Sequence, residues 1–162
     1  GRARSMNTEF RPEHPVRILV VDDEPNELRA LTIGLKLEGF HVVGVPDGNE
    51  ALAMLKKREF AVALIDLMMP KMNGIQLARE IRNVSPSTKT VLMSAYTLSS
   101  SQLNKIDIGV VGFVTKPFEF DELVSFLKHC IDSSYAEKPD SIKETNVDQN
   151  GLHLPVALPM TG

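Results

Sequence analysis

Five residues far apart in the chain have types suited to a single piece of chemistry. The stretch ILVVDDEPNEL (18–28) runs an apolar segment straight into three acids, Asp22, Asp23 and Glu24. Neighbouring carboxylates repel, and a half-buried pair is costly unless a positive charge sits on it. Asp66 follows the apolar run AVALI, Ser94 follows TVLM, and Lys116 follows VGFVT. Brought to one place, three carboxylates would hold a hard divalent cation, and Mg2+ favours carboxylate oxygens while keeping waters. A cation so held leaves room for a phosphoryl group whose oxygens it neutralises. Asp66 is then a candidate nucleophile, because carboxylates form aspartyl phosphates. Ser94 and Lys116 would take the remaining phosphoryl oxygens, one by hydrogen bond and the other as a point charge.

Bringing them together requires a scaffold, and the hydrophobic periodicity predicts one. Continuous apolar runs at 17–21, 41–45, 61–65, 88–93 and 111–114 read as strands buried on both faces. Between and after them, helical spacing appears at 25–39, 47–59, 75–83, 98–107 and 119–131. Pro25 suits a first helical turn and Gly39 a helix exit. The segment 98–107 is the weakest of the five because it is rich in serine. Alternating strands and helices predict an α/β fold, a doubly wound parallel sheet with right-handed crossovers. In such sheets ligands bind beyond the carboxyl ends of the strands, where strand order reverses. Asp22, Asp23, Asp66, Ser94 and Lys116 all stand just past strand ends.

Taken together, VVDDEP, IDLMMPKMNG, MSAY and GFVTKPF resemble the receiver domain of two-component response regulators, the CheY-like superfamily. The resemblance covers roughly residues 16–132, with every motif in the family's order. It implies a flavodoxin-like (βα)5 receiver fold of strand order 2-1-3-4-5. It also implies that Asp66 is the phospho-acceptor and that Mg2+ is the cofactor. Asp23 would be a direct ligand, Asp22 would bind through water, and the Met68 backbone carbonyl would complete the protein's share. Ser94 and Lys116 would contact the phosphoryl group, and the Lys116–Pro117 bond is often cis in this family. Gly74 matches the family glycine after the acceptor loop. Ser94 and Phe113 occupy the switch positions: Ser94 moves toward the phosphoryl group, and Phe113 turns inward. The face made by the fourth helix, fifth strand and fifth helix is then repacked. The implied partners are a sensor histidine kinase or phosphotransfer protein and a downstream effector or output domain; a homodimer through the same face is compatible. Met68 and Tyr96, two residues beyond Asp66 and Ser94, occupy positions that tune dephosphorylation in the family. Neither is a water-orienting base, so slow hydrolysis is expected.

Each residue also has a plainer role. Asp22 or Asp23 would cap the helix at Pro25, which accounts for one acid well and two poorly. Asp66, Ser94 or Lys116–Pro117 alone would pass as loop residues. Phe113 by type is core, and its switch role rests on the resemblance. Phe126 falls off the apolar stripe Phe120, Leu123, Val124, Leu127 and Ile131, and reads as an exposed aromatic on a contact surface. Cys130 reads as a small core residue rather than a reactive thiol. The four histidines lack metal-ligand spacing. Two other functions suit parts of the pattern. A phosphatase of the haloacid dehalogenase type would need a second Asp at position 68, where Met cannot transfer protons. A flavin site would want a phosphate loop after the first strand, where acids repel phosphate. A pseudo-receiver that only binds partners also remains.

Composition sets outer bounds. The 162 residues are 43% apolar, enough for one domain, and the net charge of -3 invites no nucleic acid. One cysteine excludes an internal disulfide, and no run reaches a membrane span; a cytoplasmic location is expected. Residues 1–15 read as an arm, with Gly1 to Ser5 ahead of Met6 as a cloning remnant, and 16–132 as the receiver domain. Residues 133–162 read as a tail or linker. The closing LPMTG resembles a sorting motif but lacks the apolar span and basic residues that should follow it.

Overall fold

The RILVV of the first strand is too apolar to face water on either side. The computed structural model, which describes residues 15–96, 99 and 109–132, buries Ile18 to Val21 completely. The expectations for the arm before residue 15, for the tail from 133 and, Ser99 apart, for a helix over 98–107 lie outside the described residues. Five strands, β1 (Arg17–Val21), β2 (His41–Val45), β3 (Val62–Asp66), β4 (Lys89–Ser94) and β5 (Val110–Thr115), form one sheet. All pairings are parallel and the order is β2-β1-β3-β4-β5, as the resemblance implied. The described helices are α1 (Pro25–Leu37), α2 (Gly48–Lys57), α3 (Gly74–Val84) and α4 (Phe120–Ile131), the last being the fifth expected from sequence. Expected and observed ends differ by a residue or two, the usual extent of fraying.

Alternation along the strands builds two cores. Ile18, Val20, Leu64 and Met93 pack with Leu31 and Leu35 of α1 and with Leu123 and Leu127 of α4. Leu19, Val21, Ile65 and Leu92 pack on the opposite face with Leu55 of α2 and with Leu77 and Ile81 of α3. Both faces are therefore closed from water, which is what continuous apolar strands require.

Local chemistry ends the helices where they are needed. Gly39 takes a φ of 103° beyond α1; its N–H donates to the Lys36 carbonyl at 3.0 Å, and that of Phe40 to Leu35 at 3.3 Å. These are the two bonds of a Schellman exit, which glycine allows without a Cβ penalty. Asn73 and Gln76 form a capping box that starts α3, each side chain accepting the other's backbone N–H at 2.9 Å.

Phe126 corrects the sequence reading: it is 2% exposed, inside the core. The cause lies on β5. Thr90 pairs with Val110 and Val91 with Gly112, so Val111 is an extra residue pushed outward, 44% exposed. Gly112 then faces α4, and the Phe126 ring fills the space where a Cβ would stand. The buried residues Leu123, Phe126, Leu127 and Cys130 make a second helical stripe beside the expected one, so the apolar face is wider than a single row.

Cys130 is buried, as expected. Burial pushes its thiol up to about 12, against the lowering effect of Lys89. The Lys89 ammonium donates to the Cys130 carbonyl at 2.7 Å, satisfying a backbone oxygen in the last turn of α4.

Candidate functional site

Parallel register places the strand ends side by side. Val21 pairs with Ile65, so Asp22 emerges next to Asp66. Asp66 pairs with Met93, the neighbour of Ser94, and Ser94 pairs with Thr115, the neighbour of Lys116. The Lys116 N–H donates to the Ser94 carbonyl at 2.8 Å, which ties the last two strand exits together. The strand order reverses between β1 and β3, so the acids sit at the switch point.

One oxygen from each of Asp22, Asp23 and Asp66 lies within 4.8 Å of the others. Asp22 is fully buried. Its Oδ1 accepts the Glu24 N–H at 2.9 Å, while its buried Oδ2 has no hydrogen-bond partner. A buried carboxylate oxygen without a donor is expensive. Helix capping does not account for the pair: Glu24 is the N-cap of α1, accepting from Asn26 and Glu27 at 3.0 and 3.1 Å. Asp22 and Asp23 are thus left for another partner, and three carboxylates with an orphaned oxygen suit a hard divalent cation.

Asp66 is 8% exposed, and its Oδ1 accepts the Met68 N–H at 3.3 Å. That bond folds the chain back so that the Met68 backbone lies at the acid. Gly74 keeps α3 tight against the same loop. A Cβ there would stand 2.8 Å from the Asp66 carbonyl oxygen and from the Leu67 Cα, closer than a side chain tolerates. Lys71 in this loop has a φ of 65°, a left-handed conformation that a residue with a side chain adopts at a cost of about 1–2 kcal/mol.

Lys116 reaches the acids, and its bond to Pro117 is cis, as the resemblance implied. Its Nζ stands 3.7 Å from Asp66 Oδ1 and 3.8 Å from Asp22 Oδ2. The shortest contact is with a residue the sequence reading passed over, Glu27, whose Oε1 is 2.7 Å away. Glu27 lies in the first turn of α1, and with its partner 89 positions away no local spacing signalled the contact. Ser94 is fully buried at the end of β4, and its Oγ accepts the Tyr96 N–H at 2.9 Å. Phe113 is 4% exposed and packed in the core beneath α2 and α3. That burial agrees with the core role its residue type suggests.

Crowded acids shift one another. Burial raises the Asp22 carboxyl to about 7, helped by the Glu27 carboxylate that would accept its proton and by Asp66, against the Glu24 N–H and Lys116. Asp66 is also raised, by burial first, against the Lys116 charge and the Met68 N–H. Burial by itself would lower Lys116. The bond to Glu27 and the charges of Asp66 and Asp22 outweigh it and hold the ammonium above the ordinary lysine range.

A cation held by these acids would need Asp22 ionised, and its binding would release a proton below about pH 7. Mg2+ affinity is therefore expected to weaken about tenfold from pH 8 to pH 6, the change in the ionised fraction of a group titrating midway. Calorimetric titration at several pH values measures it; a flat profile would show that Asp22 is ionised throughout.

Residues 18–128 match the family described as response regulator receiver domain. The chain is 32% identical over 126 residues to the transcriptional regulatory protein TrcR of Mycobacterium tuberculosis, covering 77% of this chain and 49% of that protein. It is 34% identical over 131 residues to the transcriptional regulatory protein KdpE of the same species, 80% of this chain and 58% of that one. The chain thus spans about half the length of these curated relatives. Among solved structures, a CheY-like receiver domain protein from Methanospirillum hungatei superposes with a TM-score of 0.70 at 26% identity, over 76% of this chain and 98% of that one. The response regulator TrrA of Thermotoga maritima, in complex with Mg2+-BeF, gives 0.64 at 34% identity, over 71% and 98%. With fold, sequence and strand-end acids in agreement, this chain belongs to the response regulator receiver domain family of two-component signalling.

Proposed function

We propose that this receiver domain accepts a phosphoryl group on Asp66 from the phosphohistidine of a sensor histidine kinase or phosphotransfer protein. It is an acceptor rather than an enzyme with its own turnover chemistry. The observation that carries the reading is the buried Asp22 Oδ2, without a hydrogen bond among the described residues and with Lys116 at 3.8 Å, beside two further carboxylates. Asp22, Asp23, Asp66 and the Met68 carbonyl would hold Mg2+, which supplies charge neutralisation for the phosphoryl oxygens. In the transfer an Asp66 oxygen attacks phosphorus. The new O–P bond forms as the N–P bond breaks, and the electron pair stays on the departing imidazole, which takes up a proton from water. Lys116 offers an ammonium to the phosphoryl oxygens, and Ser94 offers a hydroxyl.

Ser94 Oγ accepts the Tyr96 N–H, so a shift of Ser94 toward the phosphoryl group would pull on that bond and loosen the exit of β4. Such a loosening is the expected start of repacking in the face of the fourth helix, β5 and α4. An output domain or separate effector would read that face, and a homodimer through it is a second use. The relatives TrcR and KdpE are transcriptional regulatory proteins about twice the length of the matched region, which supports an attached output domain in the whole protein. At net charge -3 the sequence has no overall basic charge to draw nucleic acid. Beside the site, a groove of about 530 Å3 lined by Ala30, Leu31, Phe118 and Phe120 suits the approach of a protein donor. Among the described residues no helix is long and apolar enough to cross a membrane, and a cytoplasmic setting fits kinase signalling. Met68 and Tyr96 stand 58% and 64% exposed, and neither orients a water as a base, so phospho-Asp66 should hydrolyse slowly. A lifetime of seconds would count against that.

Incubation with acetyl phosphate and Mg2+, followed by intact mass, is the test. One added phosphoryl group, lost with chelator, is expected. No gain, or steady turnover of phosphomonoesters in the manner of a phosphatase, would overturn the reading.

A further inference from the structure

The Lys116 ammonium makes one contact of hydrogen-bond length with an acid, and that acid is not Asp66. Nζ lies 2.7 Å from Glu27 Oε1, against 3.7 Å to Asp66 Oδ1 and 3.8 Å to Asp22 Oδ2. Hydrogen bonding fades beyond about 3.2 Å, so among the acids of the described residues Glu27 alone holds the lysine by more than charge. We propose that Glu27 is a positioning residue that draws Lys116 away from the acceptor and must release it before the ammonium can close on a phosphoryl group at Asp66. The inference rests on Asp66 being the phosphoryl acceptor.

Two physical effects follow from one side chain. Lys116 must give up or share a short, charge-assisted bond to reach the new group, which taxes the phosphorylated state. The Glu27 carboxylate also adds a fourth negative charge to Asp22, Asp23 and Asp66, at the mouth of the pocket. That charge attracts a divalent cation and repels an anionic phosphoryl group. Glu27 thus favours loading of the cation and opposes retention of the phosphoryl group. The geometry suits a restraint that can let go. The Glu27 side chain is 45% exposed, on the first turn of α1, while that of Lys116 is 18% exposed. Solvent waits to take over the carboxylate when the ammonium leaves, so release is not prohibitive.

The test uses Glu27→Gln, which keeps shape and an acceptor oxygen while removing the charge, with Glu27→Ala beside it. Two affinities are measured by calorimetry: Mg2+ alone, and trifluoroberyllate at saturating Mg2+, which takes a carboxylate oxygen as its fourth ligand and mimics the phosphoryl group. Both variants should bind trifluoroberyllate about two- to fivefold more tightly than wild type, the scale of losing one partly exposed charged pair. Both should bind Mg2+ about two- to threefold more weakly. Opposite signs at one residue separate a restraint from general damage, which would weaken both. Trifluoroberyllate affinity unchanged or reduced in both variants, with wild type binding normally, would overturn the restraint alone. Failure of wild type itself to bind trifluoroberyllate would overturn it together with the acceptor assignment.

Discussion

Asp66→Asn will give a folded chain that takes no phosphoryl group from acetyl phosphate. An amide oxygen is a far poorer nucleophile than a carboxylate, and its attack would leave an unstable cationic adduct. Uptake should fall by on the order of a thousandfold or more, below detection by intact mass. Stability should move the other way. Asp66 is nearly buried, and burial disfavours its ionised form. Its pKa is raised on folding, so the ionised side chain contributes a penalty that is absent at low pH and grows as pH rises past the ordinary carboxylate range. Asparagine removes that penalty, and the metal-free variant should melt at the same temperature as wild type or above it at pH 8. Mg2+ should bind about tenfold more weakly, one of three carboxylates having gone. Phosphoryl uptake undiminished in the variant would move the acceptor elsewhere; a large fall in melting temperature would mean that Asp66 is structural.

Phe126→Ala should cost about 3–5 kcal/mol of folding stability, the usual range for emptying a buried aromatic site. Domains of this size are stable by about 5–15 kcal/mol, so the variant would be marginal. The denaturant midpoint should fall with an unchanged slope. An exposed aromatic, as the helical stripe alone suggests, would lose less than about 0.5 kcal/mol. The ring's neighbour sharpens the test. Gly112→Ala drives a methyl into the Phe126 ring and should cost about 1–3 kcal/mol. In the double variant the methyl added on β5 enters space the ring has vacated. The two losses should then fall short of additivity by about 1 kcal/mol or more. Strict additivity would show that the two residues do not share that space.

The sequence by itself determined the layers of this protein and the rim where its chemistry gathers. Uninterrupted apolar runs such as RILVV can only be strands closed on both faces. Four of the five runs lead into an acid, a hydroxyl or a lysine, and parallel strands deliver all their carboxyl ends to one side. Asp22, Asp66, Ser94 and Lys116 were therefore legible from position alone, as was the helix exit at Gly39. What only the tertiary structure decided were contacts between residues with no periodic relation. Glu27 and Lys116 are 89 positions apart, and nothing local to either announces the other. Phe126 is core because a bulge at Val111 turns Gly112 toward α4, and a helical stripe carries no record of a bulge in a neighbouring strand. Periodicity reports which face of an element avoids water; which side chain meets which across that face depends on register, and register exists only once the chain has folded.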